Sequence, residues 1–402
     1  MQSRSVTLFI LFLAVIAALL GYNYFAQPFA RNFPQQIVSV NDSQSDSAAN
    51  GSETASSSAF SHLSQRQRLS QLIAAPLLVQ PAAMATASAF KNADVASWVV
   101  AEKPGMIVLF GSQISSKSAD VALTRLRLDL GADAVMPLIA VDHEGGVVQR
   151  LSGAGYTKLP TWRALCQQAA SQSAQLHTQS AQELSTTGVQ VVFAPVLDLA
   201  GAGGKSALGS RVCDDVAQLE PVASQFIETF ARKGVLSVIK HFPGLGQLTT
   251  DPHFSAQAVV TAERDLEPFT RMLDLYTNIG VMTSHVAVEG FFDGTPCSLS
   301  AECLRTFPEK YPRVVLFTDA LEMQPALDFA KTNIGEESSR SEQLAWLAKQ
   351  ALSAGNHVLV FGESVTALEL TYVLDQLELE YVQNAEFAQI VEEQLLQVES
   401  LR

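Results

Sequence analysis

Side chains able to do chemistry gather between Lys240 and His253, in the stretch KHFPGLGQLTTDPH. It begins where an apolar, β-branched run (Val235, Leu236, Val238, Ile239) stops, which places Lys240 and His241 at the end of a buried strand. Pro243, Gly244 and Gly246 then force a turn, and polar residues carry the chain on to Asp251 and His253. A carboxylate two residues from an imidazole, in a loop punctuated by Pro252, can hold the ring in one orientation and raise its basicity. A proton shuttle requires that arrangement. An isolated D-x-H triplet is commonplace on surface loops. What sets this one apart is the Lys-His pair at the strand end, joined to it by a Gly/Pro loop.

The elements that must position these groups are short apolar segments separated by helical, polar-faced ones. Ile73–Val79, Met106–Phe110, Met136–Val141, Val189–Leu197, Val235–Ile239, Gly280–Val286, Val314–Phe317 and His357–Phe361 read as buried strands. Most are far enough apart for a helix between them. Eight such strands with crossovers predict an α/β fold, a (β/α)8 TIM barrel forming a single catalytic domain over residues 62–402. In a barrel of this kind the chemistry sits at the C-terminal ends of the strands. Asp142 follows the third segment, Lys240 and His241 the fifth, and Asp319 the seventh. A lone acid at such a place also serves as a helix cap; their joint position is what marks a site. Residues Ser364–Leu401 read as two amphipathic helices with a packing role.

Ahead of the barrel, residues 1–30 read as a signal peptide or transmembrane signal anchor. Val6–Phe25 is apolar and uncharged, about 20 residues, enough to cross a bilayer as a helix. Arg4 precedes it and the next cation is Arg31, a balance that favours export of the rest of the chain. Tyr24 and Pro28 spoil the small-x-small cleavage sites at Ala26 and Ala30, so an uncleaved anchor is expected. Residues 31–61 are expected to be a disordered linker, since Ser39–Ser61 is Ser, Asn, Asp, Gly and Ala with almost nothing to bury.

At 402 residues with a net charge of −14, the chain carries nothing to neutralise phosphates, which argues against a nucleic-acid partner. Cys166, Cys213, Cys297 and Cys303 lack metal-ligand spacing. Cys297 and Cys303 either bridge in an oxidising compartment or stay as buried thiols. With no zinc-type cluster and no glycine-rich phosphate loop after a strand, neither a metal, a cofactor nor a protein partner is implied. His143 and His285, near strand ends, read as satisfied core histidines, with lining of the pocket as the alternative.

KHFPGLGQLTTDPH resembles the KHFPGHG…DSH signature of family 3 glycoside hydrolases of the β-N-acetylhexosaminidase type. VDHEGGVVQRL (Val141–Leu151), FAPVLDLA (Phe193–Ala200), LGSR (Leu208–Arg211), VMTSHV (Val281–Val286) and LFTDALEM (Leu316–Met323) resemble that family too, in the expected order. The resemblance implies a nucleophile at Asp319, a carboxylate that forms a glycosyl ester through an oxocarbenium-like transition state. It implies His253 as the proton carrier, oriented by Asp251, and a sugar held by Asp142, Arg150, Arg211, Lys240 and His241. Four departures stand out: Ala320 where the family has a second acid, Val147 for Arg, Leu245 for His, and Pro252 for Ser.

The activity so implied is a retaining exo-β-N-acetylhexosaminidase that releases terminal N-acetylglucosamine from glycans, peptidoglycan fragments above all. Its place would be the bacterial cell envelope, anchored to the inner membrane with the catalytic domain outside the cytoplasm, or secreted if the leader is cleaved. Two rival readings are a catalytically impaired barrel that only binds glycan, prompted by the loop departures, and a phosphate-dependent N-acetylglucosaminide phosphorylase. The latter arises because a neutral His repels an anionic acceptor less than a carboxylate would.

Overall fold

The computed structural model describes residues 60–84, 89–131, 134–245, 248, 258–259, 263–288 and 294–402. The expected anchor and nearly all of the linker, together with Asp251, Pro252 and His253, lie outside the described residues.

All eight expected strands are present: β1 (Ile73–Leu78), β2 (Met106–Phe110), β3 (Leu138–Val141), β4 (Val191–Val192), β5 (Leu236–Phe242), β6 (Gly280–Thr283), β7 (Val315–Thr318) and β8 (Leu359–Val360). They form one sheet in sequential order, every pairing parallel. β8 pairs with β1 through Ile73↔Leu359 and Ala74↔Val360. β7 meets β8 at the parallel bridge Phe317–Val358, so the ring is nearly closed. This is the expected (β/α)8 architecture. Strands in such a ring are covered on both faces, which is why they are written as continuous apolar runs rather than alternating ones.

Of the boundaries that differ from the sequence expectation, two bear on the site. The fourth strand is only two residues long because Pro195 has no N–H to donate to the ladder. Pairing resumes beyond it at the bridge Val196↔Lys240. The fifth strand runs on to Phe242, so Lys240 and His241 lie inside it rather than after it. Its register against β6 shifts between Ile239 and Phe242. The Lys240–His241 and Phe242–Pro243 peptides are cis.

Inside the ring the packing is tight. A Cβ added at Gly280 would come within 2.7 Å of the Phe317 ring and 3.1 Å of Val238, so only glycine lets that ring enter beside β6. Phe317 in turn meets Phe193 edge-on at 6.0 Å.

The outer helices carry their own start signals. Asp215 caps the helix Val216–Ala231 by accepting the N–H of Gln218, and Ser339–Glu342 and Thr366–Glu369 form capping boxes. Phe226 and Phe230 of the first of these stack at 4.0 Å against the barrel wall. The tail forms the two expected helices, Ala367–Gln383 and Ala385–Glu399. Both pairs of cysteines are disulfides: Cys297–Cys303, one of the alternatives above, and Cys166–Cys213, which the sequence pattern did not foretell.

Candidate active site

The C-terminal ends of the strands gather a cluster of buried charge. Lys240, on β5 and almost fully buried, points its ammonium between two carboxylates: Asp142 just past β3, at 2.8 Å, and Glu144, at 2.7 Å. Glu144 sits in a short antiparallel hairpin, His143–Gly145 with Val148–Gln149. It also accepts a bidentate pair from Arg211, at 2.8 and 2.9 Å. Arg150 closes the far side, 3.7 Å from Asp142, with its guanidinium over the Phe110 ring.

Burial alone would raise the Asp142 carboxyl, but Lys240, then Arg150 and Arg211, outweigh it and hold it at about 2. Glu144 is likewise driven up by burial and brought below its usual value by Lys240 and Arg211. Burial pulls the Lys240 ammonium down, and Asp142 and Glu144 more than restore it. All three are therefore charged across the ordinary pH range.

His241 is set by a carboxylate that the sequence pattern did not single out. Asp198, fully buried, accepts the His241 Nδ1–H at 2.6 Å, the His241 backbone N–H at 3.2 Å and the Leu245 N–H at 2.6 Å. A proton on Nδ1 leaves Nε2 to face Arg211, 3.4 Å away. Asp198 thus fixes both the tautomer of His241 and the start of the loop toward Asp251.

Arg211 rides on a 3₁₀ turn, Gly209–Arg211. Cys213, two residues on, is bridged to Cys166 at the end of the helix Trp162–Cys166. Its carbonyl also accepts the Ala200 N–H at 2.8 Å. The bridge therefore anchors the segment that delivers the guanidinium.

Asp319 directly follows β7. Its N–H donates to Thr283 O at 2.8 Å, and its Oδ1 accepts the Ala320 N–H at 2.8 Å. It shares a small pocket with Leu245, Ser284, His285 and Met323. Leu245 thereby links the two halves of the site, lining this pocket while its N–H holds Asp198. The His285 ring donates from Nε2 to Ala320 O at 3.0 Å and accepts the Ser298 hydroxyl at Nδ1 at 2.8 Å. Burial lowers its pKa in spite of the Asp319 charge, so the ring braces the Asp319 turn as a neutral donor.

His285 is thus a satisfied histidine that also lines the pocket. His143 differs from the expectation, because its Nε2 meets Ser180 at 2.8 Å while its buried Nδ1 has no partner. Among the departures, Val147 is 77% exposed at the turn of the hairpin, whereas Leu245 is buried. A larger cavity of about 700 Å³, lined by Tyr311, His357 and Gln394 among others, lies near the starts of β7 and β8, and none of the predicted site residues lines it. No group of acidic, His and Cys residues able to hold a metal exists among the described residues.

The structure therefore joins Asp142, Arg211, Lys240 and His241 in one hydrogen-bonded cluster, sets Arg150 at ion-pair distance from Asp142, and adds Glu144 and Asp198. Both additions lie inside motifs already noted, VDHEGG and FAPVLDLA, which is the signal that could have found them. Three anions and three cations balance there, an arrangement whose directed donors and acceptors suit a neutral, polar ligand.

A family model, the glycosyl hydrolase family 3 N-terminal domain, matches residues 66–397. The chain belongs to glycosyl hydrolase family 3. As a family member it is a glycoside hydrolase. A β-hexosaminidase of Nitrosomonas eutropha is 33% identical over 283 residues, 66% of this chain and 76% of the relative. The β-hexosaminidase LpqI of Mycobacterium tuberculosis is 30% identical over 200 residues, 48% of this chain and 50% of the relative. Its solved structure superposes with a TM-score of 0.65 at 25% identity, covering 84% of this chain and 94% of that one. The β-N-acetylhexosaminidase of Beutenbergia cavernae shares the fold, with a TM-score of 0.69 at 23% identity, over 84% and 98% of the two chains.

Proposed function

We propose that this family 3 enzyme is a retaining exo-β-N-acetylhexosaminidase that releases terminal β-linked N-acetylglucosamine, with peptidoglycan fragments as its substrate. The observation that carries the reading is a juxtaposition: a charge-balanced cluster at the ends of β3 and β5, joined through Leu245 to a carboxylate at the end of β7. The names of the relatives, β-hexosaminidases, supply the substrate class.

In this reading Asp142, Glu144, Arg150, Arg211, Lys240 and His241 hold the sugar ring by its hydroxyl and acetamide groups. Asp319 attacks the anomeric carbon as the glycosidic bond to the leaving oxygen breaks, forming a glycosyl ester. His253, held by Asp251, gives the proton to the leaving oxygen. It then takes one from the water that hydrolyses the ester, which restores both groups.

The place of action proposed is outside the cytoplasm, tethered by Val6–Phe25. That charge-free run and two disulfides, which persist in oxidising compartments, support it.

The test is hydrolysis of an aryl N-acetyl-β-glucosaminide by wild type and by Asp319→Ala, with the anomer of the first-formed sugar read by NMR. The proposal expects β product and a loss in Asp319→Ala of at least about 10³-fold, the range seen when a nucleophile is removed. An α first product refutes retention. Binding without turnover would leave a glycan-binding barrel, and a sugar phosphate formed only with phosphate would mark a phosphorylase.

A further inference from the structure

Glu322 lies in the same turn as Asp319, between β7 and the helix Gln324–Ile334. Its Oε2 accepts the backbone N–H of Gly362 at 2.9 Å. Its Oε1 occupies the space of a side chain at position 362, since a Cβ built there would lie 2.2 Å away. Gly362 opens the loop after β8, so one carboxyl grips the backbone of the last barrel loop from the loop that carries the nucleophile.

The grip completes a seam. Thr318 N–H reaches Val358 O at 3.0 Å, the Thr318 hydroxyl accepts Val360 N–H at 2.9 Å, and Leu321 N–H reaches Val360 O at 3.0 Å. Asp319 lies between these rungs, its N–H held from the other side by Thr283. Ala320 removes the second acid that the family carries next to the nucleophile. Glu322, two residues beyond Ala320, is a carboxyl of this turn that binds backbone.

We propose that Glu322 is a positioning residue for Asp319: by clamping Gly362 it holds the turn that aims the nucleophilic carboxylate. The proposal rests on the reading of Asp319 as nucleophile. Misplacing a reacting group by about 1 Å costs on the order of 10²-fold in rate, so a rigid seam on this side of the site matters to the chemical step more than to binding. The charges that face Glu322 are Asp319 in its own turn and Arg340 at the start of the helix Arg340–Ala354. Burial raises its carboxyl above the usual value, and Asp319 adds to that, against the pull of the Gly362 N–H and Arg340.

Glu322→Leu fills the space without an acceptor, and Glu322→Gln keeps an oxygen for the Gly362 N–H but no charge. On an aryl N-acetyl-β-glucosaminide, Glu322→Leu should lose at least about tenfold in kcat with KM within about threefold. Glu322→Gln, which still offers an oxygen to the Gly362 N–H, should keep kcat within about threefold. Wild-type kcat in Glu322→Leu overturns the proposal, and so does a kcat in Glu322→Gln as low as in Glu322→Leu. If Glu322→Leu does not fold, Gly362→Ala decides in its place: its Cβ would lie 2.2 Å from the carboxyl oxygen, so kcat should fall at near-constant KM, and wild-type kcat there overturns the proposal. Asp319→Ala, measured alongside, separates the two ideas, because its turnover fails only if Asp319 is the nucleophile, whatever the Glu322 variants do.

Discussion

Lys240→Met removes one ammonium from between two buried carboxylates and keeps most of the side-chain volume. Two contacts at 2.8 and 2.7 Å are worth about 6 kcal/mol each at an effective dielectric of about 20. That gross figure is offset because the ammonium's own desolvation, several kcal/mol, also disappears. Arg211 still pairs with Glu144, and Arg150 remains 3.7 Å from Asp142. The net loss expected is that of breaking a buried pair from one side, about 3–5 kcal/mol near neutral pH. The charge left behind sets the sign of the pH dependence. Without Lys240 the two carboxyls are raised above their unfolded values, so a proton becomes the remedy and the variant regains stability as pH falls. Urea unfolding of wild type and Lys240→Met, run from about pH 8 down to about pH 5, should therefore show a stability gap that narrows on acidification. A gap that is absent, or constant across that range, would refute the placement of Lys240 as the shared counter-ion.

Wild type itself should behave oppositely in acid. With the Asp142 carboxyl held at about 2, its stabilisation is complete above the unfolded pKa and drains away as pH falls from about 4 toward 2, an effect of about 2 kcal/mol that Asp142→Asn should flatten in acid titrations. Opening the two disulfides should be unequal, because the cysteines are 47 residues apart in one and 6 in the other. Loop-closure entropy gives about 4 kcal/mol for Cys166→Ser/Cys213→Ser and about 2 kcal/mol for Cys297→Ser/Cys303→Ser, measurable by urea unfolding. The first pair should also raise KM, since it frees the Arg211 turn; an unchanged KM would detach that bridge from the site. Asp198→Ala leaves His241 without its Nδ1 acceptor and two backbone N–H groups unpaired. A loss of at least about tenfold in kcat/KM is expected, with the His241 ring resonances in NMR reporting the tautomer change.

The fold was legible because each barrel strand is buried on both faces and so appears as an unbroken apolar run. Val315–Thr318 and Met106–Phe110 need no partner to be recognised. Where the pattern misled, a single backbone atom decided: Pro195 has no N–H to donate, and β4 ends well short of Leu197. At β5 the error ran the other way. Charge after an apolar run looked like the end of a strand, yet Lys240 stays in the ladder because Asp142 and Glu144 neutralise it within the sheet's end.

The site was legible only in part, and the missing part is the one that pairing creates. Glu144 looks like one acid among forty until Arg211, 67 residues later, reaches it with two donors. Asp198 becomes informative only beside His241, 43 residues on, and Cys166 only beside Cys213. Local spacing carries no trace of such couplings, since a loop of this length closes at an entropic cost that depends only weakly on how long it is. Buried charge, however, cannot stand alone: a lone Lys240 or Glu144 in that recess would be several kcal/mol too costly to keep ionised. Each charged residue at a strand end therefore implies an opposite one nearby. Glu144 and Asp198, inside the VDHEGG and FAPVLDLA motifs respectively, balance Arg211, Lys240 and Arg150 together with Asp142. The charge sum of the cluster, more than any motif, is what required them.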